Sequence, residues 1–294
     1  MTNIQEAVDA AANGDAVLVA PGVYNTGGKV AVCGTENYGL SRVVITNGVT
    51  LLSVEGPEST IIEGSTSSYI RCVFVTHTNA ALIGFTLRGG ATTSNAISDY
   101  ARDGGGALIK YLRVMSNCVV ESCTTAAGGY GGGVATLGNL DYGREDLITI
   151  ADCTIKQNKA SMGGGFGFRF VGNILLLDGC QIEHNTAESG GGLYVRCAWR
   201  IHNCVISSNS ASGTGGGIAA EECGSVYGSA VLGNTAGGNG GVGNNAGFYR
   251  CLIRNNQSGA GGGGLWVGEA RESVLVDNSA VGGGGAAWAT LYNC

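Results

Sequence analysis

The chain has 294 residues, 54 of them glycine and 11 cysteine, with 44% apolar and only 13% charged residues and a formal charge of −6. The apolar share can fill a core, which excludes disorder, and the glycines fall in runs without a Gly-X-Y period, which excludes collagen. The acidic balance, with lysine only at 29, 110, 156 and 159, excludes the basic stripe that nucleic-acid binding needs, and no run of about 18 apolar residues is present to make a transmembrane helix.

In chain order, residues 3–12 place Ile4, Ala7, Val8 and Ala11 on one helical face, and Thr2 with Gln5 has capping-box spacing. Asn13-Gly14-Asp15 ends this helix, Ala16 to Ala20 reads as a buried strand, and Pro21-Gly22-Val23-Tyr24 as a turn. A short amphipathic helix before a first strand covers the exposed end of a stacked β-core. The stretch from Ile4 to Tyr24 (IQEAVDAAANGDAVLVAPGVY) resembles the opening of pectin-lyase-like right-handed parallel β-helix proteins. Strands follow at Val43–Thr46, Val49–Val54, Ser59–Gly64, Arg71–Val75 and Ala81–Gly90. The start of the chain lacks the basic, apolar and cleavage-site pattern of a secretion signal, which fits a cytosolic protein or a chain whose leader has been removed.

Two polar stretches, 91–104 and 138–146, read as loops leaving the scaffold. From Cys118 onward one pattern repeats: a small residue, an alternating apolar strand, Asn five positions on, then a glycine run. Copies begin at 118, 153, 180, 204, 229, 251, 273 and 294, with steps of 35, 27, 24, 25, 22, 22 and 21 residues. A period in the low twenties without a Leu-x-x-Leu-x-Leu frame predicts one β-solenoid coil per copy. The expected fold is all-β: a single right-handed parallel β-helix over 1–294. It comprises a cap at 1–15, irregular coils over 16–117 and regular coils over 118–294. The last copy starts at Cys294, so the C-terminal coil is expected to be open, as a truncation boundary or as a surface that stacks on another chain.

Cys118, Cys153, Cys180, Cys204 and Cys251 share one repeat position and read as an inward ladder of mostly free thiols. In-register disulfides and a metal site are the alternatives, the latter weakened by the lack of any C-x-x-C. Asn158, Asn185, Asn209, Asn234, Asn256 and Asn278 read as a structural ladder at tight turns, bonding turn backbone or the next Asn. The glycine runs permit close stacking, and none has a phosphate-loop pattern. The pairing of Ile182-x-x-Asn185 with Gly190-Gly191-Gly192-Leu193 also resembles the repeats of polymorphic outer-membrane proteins, with Ile or Val where those carry Phe and a third Gly in place of a small residue.

Alternation after each glycine run sends Tyr194 and Arg196 outward, in line with Arg169 and Glu221 one coil away on each side. Arg169, Arg196 and Glu221 are the candidate catalytic residues, because Arg forks bind carboxylates and stabilise developing negative charge. Tyr194 and Trp266 are the candidate sugar-stacking rings. No convergent carboxylate pair or calcium-type acidic cluster accompanies them. The leading expectation is a non-enzymatic structural or adhesive module. The alternative is a lyase or glycoside hydrolase acting on an acidic glycan along an outward strand face. The partners implied are a polysaccharide or other cell-surface ligand and a second copy of the chain; no cofactor, metal ion or nucleic acid is expected. An extracellular or cell-surface location follows from the resemblance alone.

Overall fold

A computed structural model describes residues 3–95, 98–137, 146–169, 173–196, 199–221 and 224–294, leaving out the side chains of residues 146, 173 and 243–245. Strands from successive coils stack into four sheets, of eleven, ten, five and eight strands among the described residues. One coil shows how the chain visits them. Asn173–Asp178 lies in the first sheet, Gln181–Glu183 in the second, Thr186–Ala187 in the third and Leu193–Val195 in the fourth; Trp199–His202 then re-enters the first. Strands of successive coils pair in parallel, as Ile155 with Ile182, Ile182 with Ile206 and Ile206 with Val231. The fold is therefore a right-handed parallel β-helix, the fold that the resemblance implies.

The repeat works because its alternating residues fill a continuous interior. Ile155, Ile182, Ile206, Val231 and Ile253 stack inward from the second sheet, and Val134, Phe166, Leu193 and Ile218 from the fourth, all fully buried. At the corners the column of asparagines is tied amide to amide. Asn158, Asn185, Asn209 and Asn234 each donate from Nδ2 to Oδ1 of the next, at 3.1, 3.0, 3.0 and 3.0 Å. Each also donates to a carbonyl of the preceding coil. Cys123 fills this position one coil before Asn158, its N–H donating to Asn158 Oδ1 at 2.9 Å. The left-handed backbone at these corners belongs to the residue before each ladder member. Gln157, His184, Ser208, Asn255 and Asp277 have φ of 57°, 55°, 55°, 56° and 56°, whereas the asparagines themselves do not. The turn thus needs only backbone tolerance from an exposed residue, while the buried Asn supplies the hydrogen bonds.

The cysteines form a second corner column. Cys180 N–H donates to Cys204 Sγ at 3.3 Å, and the column continues through Ser229 and Ser273, which accept from Cys204 N and Cys251 N at 3.0 Å. Cys72, Cys118, Cys123, Cys153, Cys180, Cys204 and Cys251 are free and buried. Burial pushes the Cys123 and Cys251 thiols up. Along the stack the hydrogen bonds that the thiols share push Cys153 and Cys204 up and Cys180 down. Burial, not protonation state, keeps reagents from all of them.

Three expectations are corrected at the N-terminal end. Helix α1 runs Ile4–Ala10 and is capped by Asn3, whose Oδ1 accepts from Gln5 N at 2.9 Å; Thr2 lies outside the described residues. The Gln5 side chain instead bonds both backbone groups of Val44, at 2.7 and 3.0 Å, pinning the cap to the first coils. The strand expected at Val43–Thr46 is the end of a longer one, Glu36–Ile45, whose first half pairs antiparallel with Lys29–Cys33. That hairpin lies on the outer face of the fourth sheet and closes a second apolar cluster of Ala31, Tyr38, Val44, Phe74, Leu108, Ala135 and Leu137. Finally, the described part of the stretch 91–104, residues 91–95 and 98–104, returns to the same face through a 3-10 turn at Asp99–Arg102, rather than looping away. The second expected loop, 138–146, lies almost wholly outside the described residues.

Candidate functional site

The outer face of the fourth sheet is where the outward residues of several coils meet. Strand register stacks Val44, Phe74, Leu108, Ala135, Gly167, Tyr194 and Ala219 in one column. The hairpin and the turn at Asp99–Arg102 cover its early members; Gly167, Tyr194 and Ala219 are buried as well, and the exposed edge of the face is at Arg196 and Glu221. Asp103 and Tyr130, each standing just before a glycine run, flank the column on one side. Arg169, Arg196 and Glu221 flank it on the other.

Arg71, 1% exposed, holds the covering segment in place. Its guanidinium donates to the carbonyls of Tyr38, Ala101, Asp103 and Gly104 and to Ser41 Oγ, at 2.7–3.2 Å. Burial lowers its pKa to about 10, which leaves it charged at neutral pH. Asp103 then points into the site with no exposed side chain. It accepts from Arg169 Nη1 at 2.8 and 2.9 Å and from Tyr130 N at 2.9 Å. Burial pushes the Asp103 carboxyl up to about 6, against the pull of Arg169. The Arg169 guanidinium lies 5.4 Å from the Tyr100 ring and 4.9 Å from the Tyr130 ring. One coil on, Tyr130 meets Tyr194 edge to face at 5.6 Å. The Tyr194 hydroxyl donates to Glu221 Oε1, while Arg196 Nε donates to Glu221 Oε2 at 2.7 Å. Burial, then Glu221, raises the Tyr194 phenol pKa.

The structure thus brings Arg169, Tyr194, Arg196 and Glu221 into one cluster. Trp266 does not join them. It lies on Leu265–Arg271, a strand of the first sheet, and no strand pairing among the described residues joins it to Tyr194 in the fourth. Its indole packs over Gly261, where a Cβ would lie 2.4 Å from the ring. Asp103, Tyr130 and Tyr100 were not foreseen. The signal was present: Asp103-Gly104-Gly105-Gly106 matches Tyr130-Gly131-Gly132-Gly133 in repeat position, although a polar stretch precedes it.

Chemically the cluster is closed on itself. Glu221 has a partner on each oxygen, and Asp103 is sealed beneath Arg169. A glycosidic oxygen cannot approach Asp103 unless Arg169 moves. The Arg196–Glu221 pair is 38% and 44% exposed, so solvent screens it, it stabilises the fold little, and a ligand carboxylate can exchange into it. Among the described residues no group of three or more His, Cys, Asp or Glu side chains assembles to hold a metal ion.

No family model matches the sequence, and no curated protein does. Among solved structures the chain is similar to Escherichia coli YbhC, with a TM-score of 0.43 and 14% identity over 88% of this chain and 68% of that one. It is also similar to a point mutant of pectin methylesterase in complex with hexasaccharide IV, with a TM-score of 0.41 and 10% identity over 95% and 77% of the two chains. Likenesses at this level say nothing of activity.

Proposed function

We propose that the protein is a non-enzymatic structural or adhesive β-helix module that works outside the cell or at its surface. One observation carries the reading: the carboxylates of the outward cluster, Asp103 and Glu221, are both engaged by arginines of the same chain, and Asp103 has no solvent access. Catalysis by a carboxyl group requires it to reach the reacting atoms. The regular residues of the repeat are absorbed by coil stacking, which supports a rigid spacer. The extracellular setting rests on the family resemblance. Retention of the protein on immobilised polysaccharide or cell-envelope material, with the polymer eluting at unchanged length, is the expected result. Shortening of the polymer by the wild-type protein but not by an Arg196→Ala variant would overturn it.

An acidic-polysaccharide lyase or hydrolase using the same face is the second reading. The Asp103 carboxyl, pushed up to about 6 beside a guanidinium, favours it, because such a group can exchange a proton near neutral pH. An activity on polyuronate that disappears in Asp103→Asn would establish it.

A further inference from the structure

The outer face of the first sheet carries a feature outside the cluster above. Register stacks His202, Tyr227, Tyr249, Arg271 and Tyr292 in one outward column. Ser225, Gly247, Glu269 and Thr290 form the column beside it. Between the columns and the neighbouring corner lies a trough of about 360 Å³. Three coil steps from Ser225 to Thr290 give it a length of about 14 Å along the helix axis.

Its shape follows from Gly247. A Cβ there would lie 2.9 Å from the Tyr249 ring, so the missing side chain is what lets the phenol lean across the floor and donate to Glu269 Oε1. Arg271 Nε and Nη2 donate to Glu269 Oε2 at 3.3 and 3.1 Å. The trough is therefore lined by one carboxylate, neutralised from the adjacent column by Arg271, with Ser225 and Thr290 at its two ends. Aromatic surface rims it. Tyr227, 40% exposed, stacks on the lining residue Tyr249 at 4.8 Å. Beneath Gly224, on the interior side of the strand, the Trp199 indole belongs to the core; it is 3% exposed, and its Nε1 has no hydrogen-bond partner among the described residues. That nitrogen lies against Gly224, a lining residue, where a Cβ would come within 2.4 Å of it.

We propose that this trough binds an uncharged oligosaccharide lying along the helix axis. The ligand class follows from the chemistry. Paired donors and acceptors, hydroxyls at both ends and an exposed aromatic rim suit a ligand rich in hydroxyls with apolar ring faces. The balanced Glu269–Arg271 pair gives no net attraction for a polyuronate or a polyamine. The inference rests on the adhesive half of the proposed function and places it on a different sheet from the arginine cluster.

The test is a calorimetric or NMR titration of the full chain with the uncharged hexasaccharides of β-1,4-glucan, β-1,4-xylan and β-1,4-mannan, with a galacturonate hexamer for comparison. Glu269→Ala removes the floor carboxylate, and Thr290→Trp fills the trough at a position exposed enough to accept the larger side chain. At least one uncharged hexasaccharide is expected to bind, and both variants are expected to weaken it about tenfold or more. Arg196→Ala should leave that binding unchanged. Undiminished binding by both variants at wild-type thermal stability overturns the assignment, as does the lack of any uncharged binder up to about 10 mM. If both variants still cling to polysaccharide as wild type does, adhesion stands and the trough is not its site.

Discussion

Removing one asparagine from the middle of the buried column tests the coil-stacking account most sharply. Asn209 is 1% exposed. Its Oδ1 accepts from Asn185 N and Asn185 Nδ2, each at 3.0 Å, and its Nδ2 donates to Ile182 O at 2.8 Å and Asn234 Oδ1 at 3.0 Å. Asn209→Ala leaves the Asn185 backbone N–H and one of its amide hydrogens without an acceptor in a site water does not reach. At roughly 1–3 kcal/mol for each buried unsatisfied donor, the cost is about 4 kcal/mol. Asn278→Ala removes the same kind of contacts, to Asn256 N, Asn256 Nδ2 and Ile253 O, but at a half-buried position where water can replace them. Its cost should be about 1 kcal/mol. Urea unfolding of both variants, read by circular dichroism and by hydrogen exchange of the Asn185 coil, gives the difference. Equal costs, or a loss below about 1 kcal/mol for Asn209→Ala, would refute the view that this column holds the coils together.

The buried carboxyl gives a pH prediction. Asp103 binds its proton more tightly when folded, at about 6, than at its ordinary 3.8. Its contribution is therefore most favourable below about pH 4, declines by about 3 kcal/mol as pH rises to about 6 and is level above that; urea midpoints of Asp103→Asn should lack this slope. Glycine substitutions should separate by position. A Cβ on Gly191 would stand 2.5 Å from Gly216 O, so Gly191→Ala should cost about 2 kcal/mol or more, whereas Gly285→Ala, with nothing within 4 Å, should stay within about 0.5 kcal/mol in the same assay. Thiol titration should find Cys33 and Cys294 reactive in the native protein and the seven buried described cysteines reactive only in denaturant.

Why some of this was legible in the sequence and some was not is a matter of which constraint acts on each residue. The buried corner position must satisfy four or five hydrogen bonds in every coil, so it is Asn in six successive copies and stands out. The left-handed position before it needs only a permissive backbone. It is filled by Gln157, His184, Ser208, Gly233, Asn255 and Asp277 in turn, and no pattern shows. The outward column of the fourth sheet could be read from alternation alone, which placed Arg169, Arg196 and Glu221 one coil apart. Register could not show that a hairpin and a 3-10 turn cover half of that face, because they add to the outside of the helix without changing its period. Arg71 looks in the sequence like any strand residue, and only the backbone carbonyls gathered around it explain its burial. The trough on the first sheet was missed because its defining residue is a glycine in a chain full of them.

The central claim is that the arginine and carboxylate cluster is a closed structural network and no catalytic centre. It is tested most directly by measuring product release from polyuronate and uncharged polysaccharides. Wild type would be compared with a chain carrying Arg169→Ala, Arg196→Ala and Glu221→Ala together. The account predicts no new reducing ends and no unsaturated products from either protein. Turnover by the wild type that the triple substitution abolishes would contradict it.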